Sequence, residues 1–213
     1  EAMFASQKIH RAEIGSDEYR VILIGDSATW GFLLSPDQTA SAFLNQSNFV
    51  LPDGRHLRAY NLGYPVMSLT KDLLVLSQAM TYAPDLIVWA VTLESFPYDK
   101  QLFPPLLQNN ANIVRNLIQQ HQINLDPDSS DLIDLSLWDR TIIGSRRPLA
   151  DLVRLQLYGV MWAATGIDHE IPDSYSPAQQ DLTNELFFHG LQPPHLDQAE
   201  IAIDILETGF EIA

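Results

Sequence analysis

Three short apolar runs, separated from one another by helical patterns, constrain the fold of this chain more than any other feature. Residues 21–24 (VILI) are continuously apolar and mostly β-branched, which is typical of a strand buried on both faces of a parallel sheet. That run stops at the tripeptide Gly-Asp-Ser of residues 25–27. Residues 57–62 and 85–91 are the second and third predicted strands. Strand, turn and helix, repeated along the chain, indicate a parallel α/β sheet.

Beyond residue 100 the pattern changes from alternating to mainly helical. Helical patterns cover residues 104–122, 150–166 and 196–212, and the sequence shows no convincing fourth strand. The expected fold class is therefore a three-layer α/β/α arrangement with a parallel sheet, flavodoxin-like in architecture, with a helical insertion in its second half.

We interpret residues 1–213 as a single domain, with a lead-in arm at 1–18, a sheet core at 19–100 and a mainly helical part at 101–213. Gly209 has the character of a residue that follows a helix end, after which a strand would be natural. This favours a domain that is incomplete at its C-terminus.

The charge and the residue types present exclude several kinds of function. The 213 residues include 27 Asp or Glu and 12 Lys or Arg, a formal net charge of -15. Such a surface repels nucleic acid phosphates and anionic lipid headgroups, so we expect no nucleic acid partner. Cysteine is absent, which excludes disulfides, thiolate catalysis and cysteine-based zinc sites. We expect neither a cofactor nor a metal.

The carboxyl ends of the three predicted strands bring small and polar residues together. In open parallel sheets, ligands bind beyond these ends. Ser27 lies in the turn between the first strand and a helix, where its hydroxyl is exposed and the helix start favours a developing oxyanion. Ser27 is therefore a candidate nucleophile, with Asn61 and Gly63 near the end of the second strand. The alternative is that Asp26 and Ser27 only cap the helix and that Asn61 only braces a turn.

Three segments resemble the motifs of a known enzyme family. GDSATWG resembles the GDS-x-x-x-G block that opens SGNH/GDSL hydrolases, and it follows a strand as that family requires. YNLGYPV resembles the second block, N-x-G-x-x-G, with Val66 at the second glycine. DLIVWAVTLESF is similar to the third block, a strand followed by G-x-N-D, with Thr92, Glu94 and Ser95 at the glycine, asparagine and aspartate positions. The resemblance covers about residues 19–96.

The resemblance implies a serine esterase or acyltransferase that acts on a small ester, a lipid ester or a carbohydrate O-acyl group. Ser27 would attack the ester carbonyl, and the backbone amides of Ser27 and Gly63, helped by Asn61, would hold the oxyanion. Asp26 and Glu94 belong to the same candidate site. An ionised Glu94 would repel an oxyanion, so it would have to be protonated, turned away or serving another role.

A serine nucleophile needs a base, normally a histidine that a carboxylate orients. The family's last block is D-x-x-H before a terminal helix, and QPPHLDQAE places His195 at the histidine position and Gln192 at the aspartate position. Without a carboxylate the imidazole loses its orienting partner. The alternatives are a base beyond Ala213, which the lack of further predicted strands favours, and His189.

Departures from the family motifs favour an alternative of a different class, namely a catalytically inactive SGNH-like domain that serves as a binding or assembly subunit of a larger complex. They stand at Val66, Thr92, Glu94 and Gln192. A flavodoxin-like or receiver-type domain would need a phosphate-cradling loop or an acidic pocket, and the sequence offers neither clearly. The resemblance also implies a location outside the cytoplasm or tethered to a membrane, with the tether or a partner protein outside this chain. A cytoplasmic location stays open.

Overall fold

The computed structural model of this chain describes Phe4, Ile9 and residues 17–134, 136–139, 141–165 and 199–213. The chain divides into two compact units, residues 1–133 with 187–213 and residues 134–186. The sheet belongs to the first and larger unit, and one long helix belongs to the second.

The sheet of the larger unit has three strands: β1 (Glu18–Ile24), β2 (His56–Asn61) and β3 (Leu86–Trp89). β1 lies in the middle and pairs in parallel with both neighbours, which gives the order β2-β1-β3. β1 is buried along residues 20–24, as its unbroken apolar run predicts. The predicted α/β class with a parallel sheet is therefore confirmed, and the helices that accompany the sheet are consistent with three α/β/α layers.

Seven helices lie within the described residues: α1 (Ser27–Trp30), α2 (Ala40–Gln46), α3 (Leu69–Ala79), α4 (Pro105–Gln108), α5 (Ala111–His121), α6 (Arg146–Thr165) and α7 (Glu200–Ile212). The helical pattern at 104–122 divides into α4 and α5, with a break at residues 109–110. Ser68 caps the start of α3, because its hydroxyl accepts the Lys71 N–H at 3.2 Å.

The main core fills one face of the sheet. Ile22 and Ile24 belong to this core, whereas Val21 and Leu23, which alternate with them along β1, form a smaller cluster with Ala59 on the other face. α3 lies in the main core and is buried along residues 69–76. α7 packs against α3. The start of α3 lies against the carboxyl ends of the strands, where Lys71 and Asp72 contact Gly25, Tyr64 and Trp89.

The outer edge of β2 is closed by groups from the preceding segment. Asn45 accepts the Ala59 N–H at 2.7 Å and donates to the Ala59 carbonyl at 2.8 Å, so one amide side chain mimics a neighbouring strand. The N–H of Leu57 donates to the carbonyl of Phe49 at 2.9 Å. On β3, at the opposite edge, the side chains of Leu86 and Val88 are exposed.

Gly209 lies within α7, which continues to Ile212, so its interpretation as the residue after a helix end is wrong. The physical reason for glycine here is packing. A Cβ atom at Gly209 would lie 2.3 Å from Cζ3 of the Trp89 ring. Glycine therefore lets α7 approach the end of β3 at the aromatic ring, rather than ending the helix.

The described part of the smaller unit consists of a turn and α6. Ser136 donates its hydroxyl to the Asp139 carboxylate at 2.6 Å, and this hydrogen bond holds the pKa of that carboxyl below its usual range. α6 is twenty residues long and carries exposed apolar side chains, among them Leu152, Leu155 and Val160. Across the described ranges, none of the helices combines the length and the apolar character needed to cross a bilayer.

Candidate functional site

Ser27 is the first residue of α1 and lies beyond the carboxyl end of β1, the middle strand. Its side chain is half-buried, and its hydroxyl has no hydrogen-bond partner among the residues that the structure describes. The Ser27 carbonyl accepts the N–H groups of Gly31 at 3.1 Å and Phe32 at 2.9 Å. α1 is only four residues long, so its dipole is small and an oxyanion would depend on individual N–H groups.

Asp26 is buried, and both of its carboxylate oxygens accept hydrogen bonds. Oδ1 accepts the Ala28 N–H at 2.9 Å, which caps α1. Oδ2 accepts the Thr92 hydroxyl at 3.2 Å. Asp26 therefore acts as the helix cap that the alternative interpretation expected, and it also joins the turn after β1 to the segment after β3.

Gly25 stands where the turn after β1 approaches the end of β3. A Cβ atom at Gly25 would lie 2.3 Å from Thr29 Oγ1 and 2.9 Å from the Ala90 carbonyl oxygen. The Ala90 N–H in turn donates to the Ile24 carbonyl at 2.8 Å. The Thr29 side chain and the Ala90 backbone therefore approach residue 25 so closely that only glycine fits there.

Asn61 and Gly63 pack directly against α1, so the structure brings them to the turn that carries Ser27. The Asn61 amide donates to the Thr29 carbonyl at 2.8 Å, and its Oδ1 accepts the Gly63 N–H at 2.9 Å. A Cβ atom at Gly63 would lie 2.4 Å from the Trp30 nitrogen. Two of the three donors expected at an oxyanion, the Asn61 amide and the Gly63 N–H, are thus hydrogen-bonded inside the protein, and Asn61 braces the turn.

Glu94 lies in a single turn of 3-10 helix, Leu93–Ser95, after β3. Its carboxylate is 2.8 Å from the Lys100 ammonium, and the side chain is 40% exposed. The contact with Lys100 fits the third possibility for Glu94, a role other than at the oxyanion. Ser95 beside it is buried and donates its hydroxyl to the Thr92 carbonyl at 2.6 Å.

The candidate bases lie outside the described residues. His195, its rival His189, and Gln192 at the expected aspartate position all fall between residues 166 and 198. His56 is the first residue of β2 and therefore lies at the opposite end of the sheet from Ser27. Within the described ranges the Ser27 site thus consists of the turn after β1 and the segments after β2 and β3.

A buried ion pair beneath this site was not predicted from the sequence. Lys71 is fully buried, and its Nζ lies 2.7 Å from Asp72 Oδ1. The Lys71 ammonium also donates to the carbonyls of Gly25 and Tyr64 at 2.9 and 3.1 Å. Burial raises the pKa of the Asp72 carboxyl, and the neighbouring Lys71 charge opposes that shift. Two adjacent charges inside an apolar helix, LTKDLLVL, were the signal that could have found the pair.

Gln101 is a second buried polar residue that sequence patterns did not single out. Its Oε1 accepts the Thr70 hydroxyl at 3.0 Å, and its Nε2 donates to the Ser95 carbonyl at 2.8 Å. The Gln101 carbonyl accepts the Ser68 hydroxyl at 3.0 Å. Gln101 therefore holds the segment after β3 against the first turn of α3.

A cleft of about 630 Å³ lies away from the strand ends, between the end of α5 and α7. Its lining includes Gln122, Asn124, Glu200, Asp204 and Glu207. The lining is acidic and includes none of the residues around Ser27, so the cleft and the candidate site are separate features of the larger unit.

Comparisons with family models, with curated proteins and with solved structures found no match to this chain.

Proposed function

We propose that this chain is a serine esterase or acyltransferase of the SGNH/GDSL type, with Ser27 as its nucleophile. The observation that carries the proposal is the placement of Ser27. It is a half-buried serine at the carboxyl end of the middle strand, and its hydroxyl has no hydrogen-bond partner among the described residues. Ligands of open parallel sheets bind at this edge.

The proposed reaction begins with attack of the Ser27 hydroxyl oxygen on the carbonyl carbon of an ester, while a base takes the hydroxyl proton. The tetrahedral intermediate then expels the alcohol, which receives that proton, and leaves an acyl group on Ser27. Water releases a carboxylic acid, or a second alcohol takes the acyl group. His195 is the proposed base, with a base beyond Ala213 as the alternative. The proposed substrates are a small ester, a lipid ester or a carbohydrate O-acyl group.

Oxyanion stabilisation in this proposal comes from the N–H groups of Ser27 and Gly63. The Gly63 N–H donates to Asn61 Oδ1 at 2.9 Å, so it has to be shared with, or released to, the substrate oxygen. Removal of one oxyanion donor typically costs on the order of 10²–10³ in kcat, so this rearrangement bears directly on rate.

A catalytically inactive binding or assembly subunit is the second candidate, and specific observations favour it. Asn61 accepts the Gly63 N–H and donates to the Thr29 carbonyl in α1, and Glu94 forms an ion pair with Lys100. These polar groups are satisfied within the protein and need no substrate to complete them.

The test is labelling of the full chain by a fluorophosphonate probe, which reacts with activated serines. We expect labelling of the parent, its loss in Ser27→Ala, and its retention in Ser77→Ala. Ser77 is a matched control because it is also half-buried, and its hydroxyl donates to the Leu74 carbonyl at 2.9 Å within α3.

Labelling that survives in Ser27→Ala would contradict the proposal, because another serine would then carry the reactivity. If neither the folded parent nor a chain extended beyond Ala213 is labelled, the binding or assembly subunit is the better assignment. Circular dichroism of each variant establishes that the comparison is between folded proteins.

A further inference from the structure

One buried ion pair on α3 contacts the ends of all three strands. The Lys71 ammonium donates to the carbonyl of Gly25, which follows β1, at 2.9 Å, and to that of Tyr64, after β2, at 3.1 Å. Asp72 Oδ2 accepts the indole N–H of Trp89, the last residue of β3, at 3.1 Å. The charges of Lys71 and Asp72 are 2.7 Å apart.

Both charged side chains are removed from water, with exposed fractions of 0% for Lys71 and 4% for Asp72. An ammonium has three N–H donors, and Lys71 donates to two carbonyl oxygens. Its contact with Asp72 Oδ1 is an ion pair without hydrogen-bond geometry. Replacing a buried ion pair by apolar side chains of similar volume is often neutral or stabilising. Apolar side chains would fill the same space but would hold neither carbonyl, so the pair contributes a defined position for the two turns.

The two carbonyls that Lys71 holds belong to the turns on which the proposed chemistry depends. Gly25 is two residues before Ser27, and Tyr64 directly follows Gly63. The Gly25 carbonyl also accepts the Tyr64 N–H at 2.9 Å. A shift of the Gly25 carbonyl therefore moves the Ser27 turn relative to the Gly63 N–H.

We propose that Lys71 and Asp72 are positioning residues for Ser27, which hold the turns after β1 and β2 in the relative position that attack on an ester requires. This inference rests on the proposed serine chemistry. Lys71 acts through the carbonyls of Gly25 and Tyr64, and Asp72 orients Lys71 while it binds the end of β3 through Trp89.

The first test measures the two turns without any chemistry, by hydrogen exchange of the full chain with mass spectrometry. In Lys71→Met we expect faster exchange in peptides covering residues 25–31 and 62–66, relative to residues 20–24 of the same protein. Leu73→Ala is the matched control, since Leu73 is also fully buried on α3 and two residues away. Its loss of apolar volume should lower global stability without a selective effect on the turns.

The second test is the rate of labelling by the fluorophosphonate probe, resolved into probe affinity and the maximal rate of reaction. Misplacement of a reacting group by about 1 Å can cost on the order of 10²-fold. We expect the maximal rate to fall by about that factor in Lys71→Met, with affinity little changed, and no such fall in Leu73→Ala. The double variant Lys71→Met/Asp72→Asn removes both charges and serves if Lys71→Met does not fold.

The inference is overturned if Lys71→Met shows no selective increase of hydrogen exchange in the two turns, or if Leu73→Ala shows the same increase. In either case the ion pair would act on the whole fold. A labelling rate that is unchanged in folded Lys71→Met would also overturn it. A parent that is not labelled at all contradicts the proposed function instead. The exchange measurement then still decides whether the ion pair holds the two turns.

Discussion

At the scale of single residues, Gly63 shows how closely the site is packed. A Cβ atom there would lie 2.4 Å from the Trp30 nitrogen and 2.8 Å from the Thr29 carbonyl carbon. These are backbone atoms of α1, so they cannot rotate away as a side chain would. Space, rather than a special backbone conformation, is therefore what requires glycine at this position.

Gly63→Ala should lower the free energy of unfolding by about 1–3 kcal/mol, the usual effect of overpacking, because β2 and α1 have to separate. Urea denaturation measures the change. Gly159→Ala is the control, since a Cβ atom at Gly159 in α6 meets no atom of the described residues within 4 Å. That substitution should be neutral or stabilising, by up to about 1 kcal/mol of helix propensity. Equal stability of Gly63→Ala and the parent would refute the close approach.

At the scale of elements, α3 determines how the strand ends are supported. Its first turn carries the cap Ser68, the ion pair of Lys71 and Asp72, and the contact of Thr70 with Gln101. The buried polar side chains of α3 all stand at its start, so that turn orients the helix. The start of α3, more than its length, positions the site.

Ser68→Ala should destabilise the protein by about 1–3 kcal/mol, measured by urea or thermal unfolding. The capping hydrogen bond from the Lys71 N–H to the Ser68 hydroxyl contributes about 1 kcal/mol. The Gln101 carbonyl, which accepts the Ser68 hydroxyl at 3.0 Å in a buried position, would also lose a donor. In Ser77→Ala, which removes a hydroxyl from the same helix without a cap, we expect a change below about 0.5 kcal/mol. Comparable losses in both variants would argue against the cap as the cause.

Local patterns predicted the elements better than the contacts between them. β1 followed from its apolar run, and α5 and α7 followed from their helical patterns, because these signals lie within the segment that folds. Gly209 was misread, since glycine is equally compatible with a helix end and with close packing, and only the position of Trp89 decides between them. The Gly25 carbonyl that Lys71 binds lies 46 residues away in sequence, so no local pattern reveals that contact.

The candidate site was predictable to the same extent. The motif placed Ser27, Asn61 and Gly63 at the ends of neighbouring strands, and the structure brings all three to one turn. It did not reveal that Asn61 and the Gly63 N–H bond to each other, because hydrogen-bond direction depends on side-chain orientation. Whether the site is catalytic stays a prediction.

At the scale of the whole molecule, the excess of acidic residues is the dominant electrostatic feature. The formal net charge is -15 in 213 residues. Like charges repel one another more in the compact folded state than in the extended chain, so the net charge reduces stability. Salt screens this repulsion and should therefore stabilise the fold.

Raising sodium chloride from about 0.01 M to about 0.15 M shortens the Debye length from about 30 Å to about 8 Å. We expect a higher thermal midpoint at the higher salt concentration at neutral pH. The same comparison near the sequence pI of about 4.5 should show a much smaller change, because the net charge is then close to zero. A midpoint that falls with salt at neutral pH would mean that favourable ion pairs outweigh the net repulsion.

The two edges of the sheet differ in a way that bears on self-association. Asn45 and Phe49 already occupy backbone groups of β2, whereas within the described residues no backbone hydrogen bond reaches the outer edge of β3. A sheet that is open at both edges can add copies without limit and grow into a fibre. A sheet with one edge already paired can join another copy only through its free edge. Strand-to-strand joining through β3 would therefore end at two copies.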